Sequence, residues 1–465
     1  MSNTEFNYDM LVIGSGPAGQ KSAVQAAKAG KHVAIVELDS LFGGACVHRG
    51  TIPSKTLREN ALRVKNMRQN AALADFDLGE DTEMVTLIDR LDEVLKSHDK
   101  YMREQMDRNN VERIHGRASF VDNVTIKITK VGGKVTTVRA KTIIIAVGSY
   151  PRTPDNIPID HEHIFDSDSI LSMLYLPSSL TVLGGGVIAS EYASIFQALG
   201  VNVTMVDRYP TPLGFLDGDM TATFVEAFKQ MGGTWIGNQN VEKVYWDGLS
   251  EVVTECADGT IIRSQKLLCA AGRLANVNAL QLENAGLAIN DKGLISVDEN
   301  LRTAIANIYA AGDVIGPPSL ASASMEQGRR ASCNDLGIKI GKMSQLIPAG
   351  IYSIPELSSV GLTENQARQQ HGDIIVGMAK FSEVARGLIS GNTEGILKIV
   401  ADAQGKKILG VMLAGEGSTE VVHIGQMAML CDADVDIFIE STFNFPTLAE
   451  AYRIAALDIL AKRPR

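Results

Sequence analysis

Residues 8–19 read YDMLVIGSGPAG, an apolar run followed by a loop with glycines at positions 14, 16 and 19. The apolar run suits a strand that is buried on both faces. An alanine-rich helical stretch follows as far as Gly30, and a second apolar run, HVAIV, leads to Glu37. This order of strand, glycine loop, helix, strand and acidic residue predicts a dinucleotide-binding unit.

Each position of this unit has a predicted physical task. Gly14 makes the tight turn, Gly16 lets the backbone approach a pyrophosphate, and Gly19 lets the helix pack closely on the strand. The start of the helix offers free N–H groups and a partial positive charge to the phosphates. Glu37 is expected to accept both hydrogens of a ribose diol.

The same unit occurs a second time, in residues 179–207, which read SLTVLGGGVIASEYASIFQALGVNVTMVD. Its three small loop residues are Gly184, Gly186 and Ala189, and its acidic residue is Asp207. In both copies the acidic residue follows the third small residue by 18 positions, from Gly19 to Glu37 and from Ala189 to Asp207. The chain is therefore predicted to bind two dinucleotides and to move electrons between them.

Length and composition limit the remaining possibilities. A chain of 465 residues is long enough for about three domains. Its net charge of −10 argues against nucleic acid and anionic membranes as partners. We find no signal peptide and no apolar run of membrane-spanning length. The cysteines are scattered without a CxxC pair, which favours a reducing cytoplasm. They are Cys46, Cys256, Cys269, Cys333 and Cys431.

Between the two units, residues 60–110 are predicted to be helical, with Ile88, Leu91 and Leu95 at helical spacing, and residues 111–148 to form strands. Residues 151–180 are predicted to be a proline-rich crossing between domains. The run His161-Glu162-His163 in that crossing could suggest a metal, but these adjacent ligands in a loop lack a third partner, so a solvated loop and no metal site are expected.

The residues after about 346 alternate as strands and end in two helices. Met427 and Met429 lie in the first of these helices, where they are expected to fill a core. His423 in the same helix is expected to be a satisfied helix or interface histidine rather than a catalytic one.

Residues 43–55, GGACVHRGTIPSK, carry one cysteine, Cys46, and end at Lys55. Together with AVG at 146–148, AGD at 311–313 and PTLAE at 446–450, this stretch and the two glycine units resemble the pyridine nucleotide–disulfide oxidoreductase family over nearly the full chain. The resemblance implies an α/β fold with two Rossmann-like dinucleotide-binding domains, for FAD and NAD(P), and a C-terminal α+β dimerisation domain. The implied oligomer is a homodimer or a larger assembly of identical chains.

The implied domains are residues 1–150 and 276–345 for FAD, 151–275 for NAD(P), and 346–465 for dimerisation. Asp313 would bind the ribityl chain of the flavin. The residues expected to line the cofactor and nucleotide sites are Gly14, Gly16, Pro17, Ala18, Gly19, Glu37, Gly44, Cys46, Thr51, Lys55, Ala146, Gly148, Gly184, Gly186, Val187, Ile188, Glu191, Asp207, Arg208, Gly272 and Asp313.

The chain departs from the family at two catalytic positions. Thr51 stands where family disulfide reductases carry the cysteine next to the flavin, and Phe445 stands where they carry a histidine base. A threonine hydroxyl cannot form a disulfide, and phenylalanine cannot accept a proton. The dithiol pathway is therefore expected to be absent. Glu450, which follows the histidine position in the family, is retained.

The nicotinamide–flavin side is intact, because Lys55 and Glu191 match the family's ion pair beside the flavin. With Thr51, these are the residues predicted to carry the reaction. The GTIPSK run resembles the soluble NAD(P)+ transhydrogenase subgroup, which implies ping-pong hydride transfer from NADPH through FAD to NAD+. A diaphorase or quinone reductase, and a non-enzymatic scaffold, are the alternatives. The two intact nucleotide units argue against the scaffold.

Two residues leave open questions. Asp207 alone favours NADH, whereas the adjacent Arg208 is able to bind a 2′-phosphate if it faces the nucleotide; if it points to solvent, an enzyme that prefers NADH is expected. Cys46, which has lost its partner cysteine, is expected to be inert; the alternative is a redox-sensitive thiol beside the flavin.

Overall fold

The structure is a computed structural model that describes residues 5–73 and 84–464. Most of the predicted helical region 60–110 is described, and it consists of two long helices, α3 (Thr51–Leu73) and α4 (Met84–Arg108). Residues 74–83 of that prediction, and the side chain of Ile88, lie outside what is described. Leu91 is buried and Leu95 packs against the core, as their spacing predicts.

The first glycine unit forms the centre of a seven-stranded sheet. Strand β1 (Tyr8–Ile13) is almost wholly buried and pairs in parallel with β2 (Val33–Glu37) on one side and β6 (Val135–Ile145) on the other. The strand order is β3-β2-β1-β6-β5-β4, and β17 (Ile308–Ala310) pairs with β6 outside this path. The other strands are β3 (Glu112–His115), β4 (Arg117–Phe120) and β5 (Thr125–Thr129).

Helix α1 (Pro17–Lys28) connects β1 to β2 and packs on α7 (Ala321–Asp335). The two helices are so close that a Cβ atom on Gly328 would lie 1.9 Å from the carbonyl oxygen of Ala18. Ser22 on α1 and Ser332 on α7 join the helices by a buried hydrogen bond of 2.7 Å. Two regions far apart in sequence therefore build one domain around the first glycine loop. Helix α2 (Gly44–His48) lies beside that loop.

The second glycine unit forms a separate parallel sheet of five strands, in the order β11-β10-β9-β15-β8. Its strands are β8 (Ile164–Asp166), β9 (Ser179–Leu183), β10 (Asn202–Val206), β11 (Thr234–Ile236) and β15 (Lys266–Cys269). Its helices are α5 (Val187–Ala198) and α6 (Gly218–Gln230). The predicted crossing 151–180 thus contains a sheet strand, β8, too short for a periodic signal.

A three-stranded antiparallel sheet extends the second unit. It contains β12 (Val241–Trp246), β13 (Val252–Cys256) and β14 (Ile261–Ser264). The chain enters and leaves this region through an antiparallel pair, β7 (Ser149–Pro151) and β16 (Arg273–Ala275). Short 3-10 helices lie at Ile170–Ser172, Leu282–Ala285, Asp313–Ile315 and Phe381–Glu383.

The C-terminal region is an antiparallel sheet with helices, in the strand order β18-β19-β22-β21-β20. Its strands are β18 (Ala349–Ile351), β19 (Leu357–Gly361), β20 (Ile374–Lys380), β21 (Ile396–Asp402) and β22 (Ile408–Ala414). Its helices are α8 (Glu364–His371), α9 (Ala385–Ser390), α10 (Ser418–Leu430), α11 (Asp436–Glu440) and α12 (Glu450–Ala461). The predicted α/β fold class is confirmed.

One core prediction in this region is wrong. Met429 is partly buried against the C-terminal core, but Met427 is 52% exposed in the single chain. The two residues are only two positions apart on α10, so they cannot share one face of a helix. His423 is exposed and its Nδ1 lies 2.8 Å from Oε1 of Gln426, which satisfies it within the helix.

Candidate active site

The first glycine loop has two crowded positions and one open position. A Cβ atom on Gly14, whose φ is +102°, would lie 2.3 Å from the carbonyl oxygen of Ala146. A Cβ atom on Gly19 would lie 1.9 Å from the carbonyl oxygen of Gly14. A Cβ atom on Gly16 would meet no heavy atom within 4 Å, so packing does not require glycine there. The open space in front of Gly16 fits a bound pyrophosphate.

The surroundings of Gly16 suit an anion. Gly16 is the N-cap of α1, no side chain caps this helix, and its first turn, which begins with Pro17 and Ala18, holds no acidic residue. The N-terminal N–H groups of the helix therefore remain able to bind phosphate oxygens. Glu37, at the end of β2, faces the loop and accepts a hydrogen bond of 2.8 Å from the backbone N–H of Ser15. The residues present thus fit a dinucleotide such as FAD.

The second glycine loop has the same geometry. A Cβ atom on Gly184 would lie 2.7 Å from the carbonyl oxygen of Ala270, whereas one on Gly186 would meet nothing within 4 Å. Gly186 is the N-cap of α5, no side chain caps that helix, and Val187 and Ile188 form its start. This loop also fits the phosphates of a dinucleotide.

Directly after β10, the residues Asp207, Arg208 and Tyr209 contact one another. Asp207 is half-buried, and its Oδ1 accepts a hydrogen bond of 3.2 Å from the N–H of Tyr209. Arg208 is exposed; its guanidinium carbon lies 4.9 Å from the ring centre of Tyr209, and its Nη2 donates to the hydroxyl at 3.2 Å. Arg208 is therefore held beside Asp207 on an aromatic surface.

The crossing between the two nucleotide units carries Gly148 and Gly272, both with positive φ and both with open space where a Cβ would lie. Ala146, just before Gly148, donates its N–H to the carbonyl oxygen of Ile13 at 2.8 Å. Asp313 follows β17, and its Oδ2 accepts a hydrogen bond of 2.7 Å from the hydroxyl of Ser149. These residues lie where the two parts of the first domain meet the second domain.

Lys55 and Glu191 form an ion pair, although they lie in different domains. The ammonium group of Lys55 is 2.8 Å from Oε1 and 2.7 Å from Oε2 of Glu191. Glu191 is 4% exposed, and its Oε1 also accepts a hydrogen bond of 2.9 Å from the backbone N–H of Tyr352. The ring centre of Tyr352 lies 5.0 Å from the ammonium group. The ion pair is therefore largely buried, and the C-terminal region contacts it through Tyr352.

The thiol of Cys46 is hydrogen-bonded to Thr51, and the charges of Lys55 and Asp313 act on it in opposite directions. Burial raises the pKa of this thiol, while the hydrogen bond from Thr51 and the charge of Lys55 lower it; the net direction is upward. All five cysteines are free. Gly44 at the start of α2 packs on the first glycine loop, since a Cβ atom there would lie 2.9 Å from the Cα of Gly16.

At the other altered position, Phe445 is 70% exposed and precedes a cis proline, Pro446. Glu450 does not reach the pair formed by Lys55 and Glu191 but accepts a hydrogen bond of 3.2 Å from the N–H of Thr447 at the start of α12. Within one chain, therefore, Phe445 and Glu450 are not brought together with Cys46.

Three residues of this region were not predicted from the sequence: Ser149, Arg273 and Tyr352. Arg273 donates to the hydroxyl of Ser149 at 2.9 Å and to Oδ1 of Asp168 at 3.0 Å. Arg273 directly follows Gly272, but nothing in the AAGR run indicates that its charge is partly buried and paired. Tyr352 is joined to Glu191 through its backbone, for which a sequence carries no signal.

Models of known protein families match nearly the whole chain. Residues 8–328 match the model of the pyridine nucleotide-disulphide oxidoreductase family, and residues 347–456 match the model of that family's dimerisation domain. The chain belongs to this family. The C-terminal match supports a homodimer, in agreement with the predicted partner.

Individual members of the family show which subgroup the chain resembles. The chain is 41% identical over 457 residues to the soluble pyridine nucleotide transhydrogenase of Mycobacterium bovis, covering 98% of this chain and 97% of that protein. It is 40% identical over 464 residues to the soluble pyridine nucleotide transhydrogenase of Pseudomonas putida, covering 97% and 98% respectively. The predicted resemblance to this subgroup is confirmed.

Solved structures of the same fold are also similar. LpdA from Mycobacterium tuberculosis superposes with a TM-score of 0.90 at 25% identity, covering 96% of this chain and 99% of that one. The HOCl-induced flavoprotein disulfide reductase RclA from Escherichia coli superposes with a TM-score of 0.87 at 29% identity, covering 97% and 99%. In residues 5–73 and 84–464 of this chain, no helix is long and apolar enough to cross a membrane, and no three potential ligands cluster as a metal site would require.

The thiol of Cys46 is expected to react slowly with iodoacetamide at neutral pH. Its pKa is raised, and only the thiolate is nucleophilic, so the alkylation rate should rise with pH and reach half its maximum above the ordinary cysteine value of about 8.5. Mass spectrometry of peptides alkylated from pH 6 to 10 measures this, with the exposed Cys431 as internal reference. Equal reaction of the two cysteines at pH 7 would contradict the expectation.

Proposed function

We propose that this protein transfers hydride between NADPH and NAD+ in a ping-pong reaction with bound FAD. The observation that carries this function is the Lys55–Glu191 pair, which joins the two nucleotide units while a threonine occupies the relay position next to Cys46. Further support comes from the 40–41% identity to proteins named soluble pyridine nucleotide transhydrogenase.

In this function the first glycine loop holds FAD, with Gly16 against the pyrophosphate, Glu37 on the ribose and Asp313 on the ribityl chain. The second loop holds each nicotinamide nucleotide in turn, with Gly186 at its phosphates. When bound, FAD supplies an acceptor for hydride from one nucleotide and a donor of hydride to the next.

Lys55 is the cation of the site. Its ammonium group stabilises the negative charge that arrives with a hydride, and Glu191 holds that group in place through two hydrogen bonds. Because Glu191 lies on α5 directly after the second glycine loop, the same pair also fixes the nucleotide unit against the first domain.

One nucleotide site has to accept both NAD(H) and NADP(H). Asp207 binds the ribose diol of NAD(H), and Arg208 binds the 2′-phosphate of NADP(H) and offsets the charge of Asp207. The backbone around them is well fixed, since Asp207, Tyr209 and Pro210 each accept a hydrogen bond from residues 235–239. Selection between the nucleotides therefore depends on the side chains of Asp207 and Arg208.

The enzyme works in the cytoplasm as a homodimer or larger homo-oligomer, without nucleic-acid or membrane partners, in keeping with its net charge of −10. Thr51 and Phe445 leave no dithiol relay, so a nicotinamide nucleotide, rather than a disulfide, collects the electrons.

The decisive experiment measures NADPH-driven reduction of thio-NAD+ by the purified flavoprotein, together with its turnover with a quinone. Transhydrogenation faster than quinone reduction, with parallel double-reciprocal plots, is expected. Faster quinone turnover would favour a diaphorase instead, and a long-wavelength charge-transfer band on reduction by NADH would restore a dithiol mechanism.

Arg208→Gln should raise the KM for NADPH about tenfold and leave the KM for NADH within about twofold, because one charge-assisted contact with the 2′-phosphate is lost.

A further inference from the structure

Arg58 is a buried cation that the function described above does not use. It lies on α3 three residues after Lys55, so the two side chains project from the same side of the helix. Arg58 is 0% exposed, which is rare for arginine and demands compensating partners. All but one of the polar partners that the structure gives it come from the C-terminal region.

The guanidinium group of Arg58 donates hydrogen bonds to one backbone carbonyl and to the carboxylates of Glu416 and Glu59, and it forms an ion pair with the buried carboxylate of Glu356. Nε donates to the carbonyl oxygen of Ser353 at 3.0 Å, and Nη2 donates to Oε2 of Glu416 at 2.7 Å. Nη1 lies 3.2 Å from Oε1 of Glu356, and 3.1 Å from Glu59 on its own helix. The planar guanidinium group of arginine has five N–H donors and can reach all of these acceptors at once, whereas the single ammonium group of lysine cannot.

The carboxylate of Glu356 is itself fixed from the opposite side. Its Oε2 accepts hydrogen bonds from the backbone N–H and the hydroxyl of Thr419, at 3.1 and 2.8 Å. Burial raises the pKa of Glu416, against the opposing effect of Arg58. The carboxylate of Glu356 is thus held between the guanidinium group of Arg58 and Thr419.

The segment that Arg58 holds is the one that reaches the ion pair. Ser353 directly follows Tyr352, whose N–H donates to Glu191 at 2.9 Å and whose ring lies 5.0 Å from the ammonium group of Lys55. The N–H of Ile354 donates to the hydroxyl of Ser194 at 3.0 Å, on the same helix as Glu191. Residues 352–354 are thus fixed by α3 on one side and by α5 on the other.

We infer that Arg58 is a positioning residue for hydride transfer: by holding the Ser353 carbonyl it keeps the Tyr352 N–H on Glu191 and the Tyr352 ring beside Lys55. This inference rests on the proposed role of the Lys55–Glu191 pair. A charged pair that loses a fixed N–H donor and an aromatic neighbour becomes free to reorient, and its ammonium group then moves relative to the reacting atoms.

A purely structural clamp is the competing explanation, and the chain offers a matched control for it. Lys398 is also a buried cation of the C-terminal region, and it binds Asp217 and Asp219 of the second unit at 2.9 and 2.6 Å. None of its partners lies in residues 352–356. Lys398→Met therefore breaks an interdomain clamp without releasing Tyr352.

The test compares FAD-loaded Arg58→Met and Lys398→Met with the unchanged protein, well below their unfolding temperatures. In stopped-flow reduction by NADPH, Arg58→Met is expected to lower the rate constant about 10- to 100-fold, because small displacements of catalytic groups have effects of that size. The Kd for NADPH should stay within about twofold, and Lys398→Met should keep the rate within about twofold, since neither change touches the nucleotide loop.

A second readout is independent of flavin chemistry. Hydrogen exchange of the Tyr352 amide, followed by mass spectrometry on peptides spanning residues 350–356, should be at least about tenfold faster in Arg58→Met and unchanged in Lys398→Met. Arg58→Lys keeps the positive charge but lacks the planar guanidinium group, so it should show the same changes to a smaller extent. This variant replaces Arg58→Met in the test if Arg58→Met does not fold.

Wild-type exchange and rate in a folded Arg58 variant would overturn the inference, and so would equal slowing by Lys398→Met. Lys55→Met, measured alongside, separates this failure from failure of the proposed function. If Lys55→Met slows flavin reduction and the Arg58 variants do not, only the positioning role of Arg58 is contradicted. If Lys55→Met reacts at the wild-type rate, the role proposed for the Lys55–Glu191 pair is contradicted as well.

Discussion

Replacement of Lys55 by methionine is expected to slow transhydrogenation about 100-fold, because a preorganised charge at a reacting centre contributes about 10²–10³ in kcat. Methionine keeps an unbranched apolar side chain of nearly the same length and lacks the ammonium group that Glu191 holds at 2.7 Å. The loss should fall on kcat rather than on KM, since Lys55 acts on charge that develops during the transfer. Steady-state kinetics with NADPH and thio-NAD+, at equal FAD content, measure it.

Lys65→Met provides the control on the same helix. Lys65 is half-buried on α3, where its ammonium group lies 3.7 Å from the sulfur of Met231, away from the ion pair. Its replacement should leave kcat within about twofold, because additivity holds between separated sites. Equal kcat values for Lys55→Met and the unchanged enzyme would remove Lys55 from the reaction.

Replacement of Lys398 by methionine is expected to lower the free energy of unfolding by about 3–5 kcal/mol, the usual effect of leaving a buried carboxylate without its cation. Lys398 lies in strand β21 with its side chain 2% exposed and binds Asp217, Asp219 and Glu364. Asp217 is almost as deeply buried, with its side chain 3% exposed, so its charge would be left uncompensated. Urea unfolding monitored by circular dichroism measures the loss.

The pKa of Lys398 is raised: burial acts to lower it, but hydrogen bonds to Asp217, Asp219 and Glu364 outweigh that effect. A raised lysine pKa contributes stability that is complete below the ordinary value of about 10.4 and is lost only as pH rises through the folded-state value. The effect of Lys398→Met should therefore be fully present at pH 7 to 8.

Lys462→Met serves as the exposed counterpart of this change. Lys462 pairs with Asp458 at 2.8 Å, but its side chain is 51% exposed. Water and salt screen such a pair, so a loss of less than about 1 kcal/mol is expected. Similar losses for the two variants would show that burial of Lys398 is not what gives its contacts their strength.

The nucleotide loops were predictable because their glycines lie within one short stretch of sequence. A Cβ atom on Gly19 would meet the carbonyl oxygen of Gly14 in the same loop, whereas the atom that excludes a side chain at Gly14 belongs to Ala146, directly after β6. The requirement therefore leaves a pattern that can be read without the rest of the fold. The Lys55–Glu191 contact, which joins residues 136 positions apart, was expected only from the family resemblance.

The contacts of Arg58 and Lys398 could not be predicted, because their partners lie in other domains. Arg58 binds Ser353, 295 positions away, and no periodicity relates the two. Lys398 left a weaker signal, since a single lysine inside the apolar run ILKIVA indicates a buried charge without naming its partners. Met427 was assigned to the core for a related reason: hydropathy does not distinguish a face buried in one chain from a face left exposed.

The position of strand β17 in the sequence determines the order in which the two parallel sheets are completed during synthesis. Its residues 308–310 complete a sheet whose other strands all lie before residue 146. The five-stranded sheet of the second unit, by contrast, is complete once residue 269 has been synthesised. At about 5–20 residues per second, the first domain waits on the order of ten seconds for its last strand while the second folds. The domain that leaves the ribosome first is therefore finished later, and a nascent chain cannot acquire a complete flavin site until well after its nucleotide unit exists.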